Sequence, residues 1–181
     1  LGVPVSIQTV EAEIWWLSPR LKLSVVDIYD PDGIRPMLHV DEILVGFDWL
    51  ASIQQRQLQL GFVAFNGSDV QIKHFADGRW QIQGVMLPAP EEGPLRIPPK
   101  IQALLQDTSI YLHDIQLDWV DEQRNNQHLV IKDVNIALLN DAPRHQLTVD
   151  LDLPQTYGGH VQLLADISGA IDQPDQWQGR L

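Results

Sequence analysis

Cysteine is absent from the 181 residues, which excludes disulfides, thiolate nucleophiles and cysteine-ligated zinc while leaving the redox compartment open. Basic residues are scarce: 12 Lys and Arg stand against 24 Asp and Glu, for a formal net charge of -12. A surface of that sign repels phosphate backbones, so nucleic acid is not an expected partner. It also opposes adsorption to anionic lipid headgroups. No apolar run approaches the ~18 residues that cross a bilayer. Gly-x-Ser-x-Gly elbows, phosphate loops and dinucleotide fingerprints are missing, and the serines follow no pattern that ties them to a histidine.

Histidine and carboxylate clusters are equally thin. The six histidines (39, 74, 113, 128, 145, 160) form no HExxH and no close pair of metal-ligand spacing. His39, His74, His113 and His145 lie between apolar neighbours in alternating runs, and a solvated position on a polar face is expected for them. Asp30, Asp32 and Gly33 share the opening of a calcium loop, but Ile34 occupies the third ligand position and no bidentate Glu follows at the right distance. Asp118, Asp121 and Glu122 could suggest a glycosidase carboxylate pair; acids so close in sequence at a strand end read instead as a solvated loop. Neither catalysis, a metal nor a cofactor is expected.

What the sequence does contain is alternation. Leu147, Val149, Leu151 and Leu153 recur with period two, with Thr148, Asp150 and Asp152 between them, the mark of a strand greasy on one face and wet on the other. A finer pattern repeats, with Φ for an apolar residue: Φ-x-Φ-x-x-Φ-x-Φ. It occurs at Val5, Ile7, Val10, Ala12; at Leu21, Leu23, Val26, Ile28; and at Leu38, Val40, Ile43, Val45. It returns at Ile110, Leu112, Ile115, Leu117 and at Leu129, Ile131, Val134, Ile136, while Leu60, Phe62, Phe65 and Val70, Ile72, Phe75 give its first three places. Two period-2 pairs three residues apart fall on opposite faces of a regular strand. One extra residue, a β-bulge, returns all four to one face and sharpens the twist. The competing reading is a strand that crosses between two sheets at the slip.

The expected fold is therefore mostly β: long, twisted, bulged antiparallel strands in a curved sheet or groove, with one or two short helices. Asp48 to Gln55 has Trp49, Leu50 and Ile53 at helical spacing, and Pro99 to Asp107 has Ile101, Leu104 and Leu105 behind a proline. Turns are signalled at Asp30-Pro31-Asp32-Gly33 and Asp77-Gly78, and Asn66-Gly67 reads as a turn or kink. Prolines 88, 90, 94, 98 and 99 mark a linker or long loop. The division is a front β-meander half over 1–86, the linker over 87–99, and a back β half over 100–181 that continues the same sheet. The start at Leu1-Gly2-Val3 without methionine reads as a fragment of a larger protein, with any targeting signal or anchor upstream. Of the six tryptophans, Trp49 and Trp119 fall in apolar stripes and are expected in the core. Trp15 and Trp16 are adjacent, so one faces outward.

Several segments resemble a known family. Glu11 to Leu23, with its Trp15-Trp16 pair followed by Pro19-Arg20-Leu21-Lys22-Leu23, is similar to the opening of YhdP-type AsmA-like proteins. Leu38 to Ser52 resembles their strand-then-short-helix unit, and Val70 to Trp80, with Asp77-Gly78-Arg79-Trp80, resembles an AsmA-like hallmark. The later segments Ile115 to Glu122, Val134 to Ile136, Leu147 to Pro154, Tyr157-Gly158-Gly159 and Trp177 to Arg180 follow in order. Ile34 to Met37 departs from the pattern, which touches only local loop shape. The resemblance implies a periplasmic segment of a Gram-negative envelope protein, held in the inner membrane by an anchor outside this chain, whose β-groove carries phospholipids toward the outer membrane.

The residues support that expectation independently, because a sheet with one continuous apolar face must fold over itself or leave the face open to an apolar ligand. Burying an acyl chain returns ~0.8 kcal/mol per methylene, so a groove of Leu, Ile, Val and Phe can hold phospholipid acyl chains without specific polar contacts. Candidate lining residues are Leu21, Leu23, Leu38, Val40, Leu60, Phe62, Ile110, Leu112, Ile115, Leu117, Leu129, Ile131, Leu147, Val149 and Leu151. The alternative is a closed-core β-sandwich that serves as a scaffold or interaction domain of an envelope protein.

Overall fold

Runs of Val, Ile, Leu and Phe alternating with polar residues pair into one sheet. A computed structural model describes residues 4–15, 18–30, 32–87, 108–141, 143–169 and 178–180. The strands are β1 (Val5–Trp15), β2 (Ser18–Tyr29), β3 (Pro36–Phe47), β4 (Leu60–His74), β5 (Trp80–Ile82), β6 (Val85–Met86), β7 (Ser109–Asp121), β8 (Gln127–Asp141), β9 (Arg144–Asp152), β10 (His160–Ser168) and β11 (Gln178–Arg180). Strands make up 72% of the described residues, and the sheet is open and mixed. Its order is β1-β2-β3-β4-β7-β8-β9-β10-β11, with β5 and β6 as a small annex beside β4. Most neighbours are antiparallel, but β4 and β7 run parallel, Phe65 beside Leu112 and Val70 beside Leu117. A parallel join needs a long crossover, and here the chain from 75 to 108 makes it. That join follows the front strands β1 to β6, which pair in chain order and antiparallel.

The bulge reading of the repeated pattern holds. Leu23 and Val26 pack in the same apolar cluster although three residues separate them, as do Val40 and Ile43. Leu112 with Ile115, and Ile131 with Val134, repeat this in the second cluster. The strand ladder skips residues at one level across the sheet: Gln8 against Val25, Val25 against Asp41, Asp41 against Gly67, and Gly67 against Asp114. On β8 the skipped pair is Lys132-Asp133. The extra residue is left-handed at Val25 (φ 53), Gly67 (φ 65), Asp114 (φ 53) and Asp133 (φ 54), a conformation that asparagine, aspartate and glycine tolerate best. A transverse seam therefore crosses the sheet. Asn135 fastens it where β7 meets β8: its Oδ1 accepts from the Asp114 N–H at 3.2 Å and its Nδ2 donates to the Asp133 carbonyl at 2.9 Å.

The helix expected over Asp48 to Gln55 forms as α1 (Trp49–Gln55), capped by the Asp48 side chain, which accepts from the Ala51 N–H at 2.9 Å. Its orientation differs from expectation. No residue of α1 is buried, and Trp49, Leu50 and Ile53 are 39%, 55% and 67% exposed, so its apolar stripe faces away from the sheet. The second expected helix, Pro99 to Asp107, lies outside the described residues, as does nearly all of the proline-rich linker. At the first turn, the Asp30 carboxylate accepts from the backbone N–H groups of Ile34 and Arg35 at 2.9 and 3.3 Å, which holds its pKa below the usual carboxylate range. Asp77-Gly78 closes a hairpin in which the Phe75 N–H donates to the Arg79 carbonyl at 2.9 Å.

Candidate functional site

One face of the sheet is apolar from edge to edge. Its first cluster is Val26, Val40 and Ile43, with Leu23, Leu38, Val45, Val63 and Phe65 against them. The second is Ile115, Ile131 and Val134, with Val70, Leu112, Leu117, Leu129, Ile136, Leu151 and Leu153 around them. Phe65 and Leu112 are register partners, so the two clusters share a face. Among the described residues each draws only on strands that are neighbours in the sheet: β2 to β4 for the first; β4, β7, β8 and the β9 end for the second. A sandwich core would interleave residues from distant strands. Val40 and Val26 are 1% and 2% exposed, whereas the outer strands β1 and β10 carry exposed apolar side chains such as Val10 at 60% and Leu163 at 41%.

Polar groups close the two ends of this face. At one end Thr108, Asn140 and His145 are buried. Asn140 Nδ2 donates to the Thr108 carbonyl at 2.8 Å, while its Oδ1 lies 2.7 Å from His145 Nδ1; the other ring nitrogen faces the Gly169 carbonyl at 3.2 Å. Both ring nitrogens thus face oxygen acceptors. At the opposite end His74 stacks on Trp80 with centroids 4.1 Å apart and sits 3.2 Å from the buried Asp121 carboxylate. Beside them lies a cavity of about 270 Å³ with Trp119, Leu129, Ile131 and Leu153 in its walls and Arg124 and Tyr157 at its rim. The Trp119 indole N–H is buried with no acceptor among the described residues.

The other face is a mosaic of cross-strand ion pairs. Lys22 meets Glu42 at 2.6 Å, and Asn66 donates to the same carboxylate at 2.9 Å; Lys22 lowers the Glu42 pKa, and Glu42 in turn raises that of Lys22. His39 sits 2.6 Å from Asp27, and His160 3.0 Å from Asp152. Those hydrogen bonds hold both histidines above the ordinary imidazole range. Arg144 donates to Asp166 at 3.0 Å and lowers its pKa; Lys73 does the same to Glu122 at 2.8 Å.

Most candidate lining residues share the apolar face. Val40, Ile115 and Ile131 are buried in it, and Leu23, Leu38, Leu112, Leu117, Leu129 and Leu151 pack around them. Leu21, Ile110, Leu147 and Val149 join through their partners Val45, Val63, Leu138 and Ile136. Leu60 opens β4 opposite Phe47. Phe62 is a correction: it pairs with Gly46 and turns to the polar face, edge-on to Tyr111 at 6.1 Å. The extra residue of β4 is Gly67, so Val63 and Phe65, not Phe62, belong to the apolar set. The same parity corrects His74, placed after that bulge on the apolar side beside Asp121. His145 is a second correction, because it lies two residues before Leu147 and shares its face. His39 and His113 are exposed as expected. Trp49 is not a core residue.

The acids singled out in the sequence do not converge. Asp118 pairs with His128 at 2.5 Å, Asp121 with His74, and Glu122 with Lys73. Among the described residues no group of three or more His, Cys, Asp or Glu is placed to hold a metal, and no helix is long and apolar enough to cross a membrane.

A single sheet with a continuous apolar face, polar closures at both ends and ion pairs behind it defines a groove-type β protein. A family model described as YhdP protein matches residues 1–181, and the chain belongs to that family, one of bacterial envelope proteins and not a known enzyme family. No curated protein and no solved structure matches the chain significantly.

Proposed function

We propose that the apolar face is a non-enzymatic lipid groove: it binds phospholipid acyl chains and passes them along a periplasmic, inner-membrane-anchored envelope protein toward the outer membrane. The observation that carries this reading is the lateral packing of both apolar clusters, which among the described residues draw on adjacent strands, with exposed apolar side chains beyond them on β1 and β10. Acyl chains on such a surface gain ~0.8 kcal/mol per buried methylene, and near-equivalent sites repeated from strand to strand favour movement over trapping. Native mass spectrometry of the purified chain is expected to show co-purifying phospholipid. Leu112→Asp and Val149→Asp are expected to lose it while the circular dichroism of the sheet is kept. A lipid-free wild-type mass, or variants that unfold, would favour a closed-core scaffold instead.

A further inference from the structure

The cavity beside Trp119 differs from the rest of the apolar face in having a cation at its mouth. Arg124 ends a 3-10 turn (Glu122–Arg124) that is followed by two left-handed asparagines, Asn125 (φ 56) and Asn126 (φ 54). This turn holds the guanidinium at the rim of a pocket floored by Leu129, Ile131 and Leu153. Lys22 and Lys73, by contrast, are engaged at short range, with Glu42 at 2.6 Å and Glu122 at 2.8 Å. Arg124 is 72% exposed, and its one acidic neighbour, Asp121, lies 3.8 Å away, beyond hydrogen-bond length. Asp121 also lines the cavity; its Oδ1 accepts from the Gln123 N–H at 3.0 Å and faces His74, while its Oδ2 is the atom 3.8 Å from the guanidinium. The five guanidinium donors therefore stand ready for a planar or tetrahedral oxyanion.

We propose that this pocket is a terminal subsite for an anionic lipid, with the end of an acyl chain nearest the headgroup in the cavity and the phosphate on Arg124. The inference rests on the lipid-groove reading and adds to it a fixed place and charge for the headgroup. The volume, about 270 Å³, exceeds the ~150 Å³ of an apolar cavity that accepts benzene, so several methylenes fit. In a chain of net charge -12, an exposed cation at an apolar mouth favours an anion whose hydrocarbon offsets the surrounding repulsion. The glycerol-phosphate end of the lipid then lies at the Asp121–Gln127 turn, and its chain runs back along β7 and β8.

The test is titration of the whole chain with lysophosphatidylglycerol, with lysophosphatidylcholine of the same acyl length, and with inorganic phosphate, read by native mass spectrometry and by the Arg124 Nε–H resonance. Lysophosphatidylglycerol is expected to bind about tenfold tighter than the zwitterion and to shift the resonance, and phosphate alone is expected to do neither. Arg124→Gln, at an exposed turn position, should erase the preference and leave lysophosphatidylcholine binding unchanged. Leu153→Trp, which fills the cavity, should weaken both lipids. Equal binding of the two lipids by the wild type, or a preference that survives Arg124→Gln, overturns the subsite and leaves the groove standing. Phosphate that binds as well as the anionic lipid overturns the acyl part of the proposal. Failure of both lipids to bind removes the groove reading itself.

Discussion

Asn135→Ala is the sharpest test of the transverse seam. The side chain makes two hydrogen bonds, one to each bulge, at 3.2 Å to the Asp114 N–H and 2.9 Å to the Asp133 carbonyl. Both are solvent-exposed, so each sits at the low end of the ~0.5–1.5 kcal/mol typical of such bonds. The expected loss is about 1 kcal/mol. The amide of Asp114 has no strand partner at the skipped position, so its protection depends on Asn135. Urea denaturation should show a lower midpoint at unchanged slope, and amide exchange at Asp114 should accelerate while that of Leu112 changes little. A loss under about 0.3 kcal/mol with unaltered Asp114 exchange, within the scatter of ordinary surface substitutions, would mean that the seam is held by strand pairing alone.

Gly46→Ala puts a Cβ about 2.1 Å from Phe62 Cε1 and should cost roughly 1–3 kcal/mol by overpacking; in a Phe62→Leu background most of that cost should disappear. An undiminished cost there would place Phe62 on the apolar side after all. Stability should also depend on pH from two directions. The raised His39 and His160 contribute fully below their unfolded value near ~6.5 and lose that contribution as pH rises through their folded values. The lowered Asp30, Glu42, Glu122 and Asp166 contribute fully above ~4 and lose it as pH falls through theirs. Urea midpoints measured from pH 3 to 8 should therefore peak near ~5–6, and His39→Gln with His160→Gln should flatten the alkaline side. A midpoint that climbs between pH 6 and 8 would contradict the pairing.

How legible this molecule is from its sequence varies with the physics of each feature. The bulged strands were readable because Leu23 with Val26, or Ile131 with Val134, must share a face or waste an apolar side chain. β4 was misregistered because Leu60, Phe62, Val63 and Phe65 are all apolar, so alternation alone cannot say which pair faces inward; Gly67, with its left-handed φ, was the available signal. The parallel partnership of β4 with β7 could not be read, since local patterns carry no strand direction. His74 and His145 were assigned to water on residue type, whereas parity put them at the ends of the apolar face with Asp121, Asn140 and Gly169 as partners. The cavity at Trp119 needed side chains from β7, β8 and the turn at Tyr157 brought together, and no spacing foretells that. The outward stripe of α1 follows helical periodicity but reverses its usual meaning, because no second layer among the described residues receives Trp49, Leu50 and Ile53.

The lateral packing of the apolar clusters has a thermodynamic consequence. When each strand is stabilised mainly by the strand on either side, the free energy of the sheet is close to a sum over interfaces, as in a one-dimensional lattice of repeats. Such a molecule has no single nucleus whose loss melts everything. It frays inward from β1 at one margin and β11 at the other, while the well-buried segments around Val40 and Ile115 survive longest. Lengthening a sheet of this kind by further strands adds stability in proportion to each new interface, so such an architecture can grow in span without needing a thicker core.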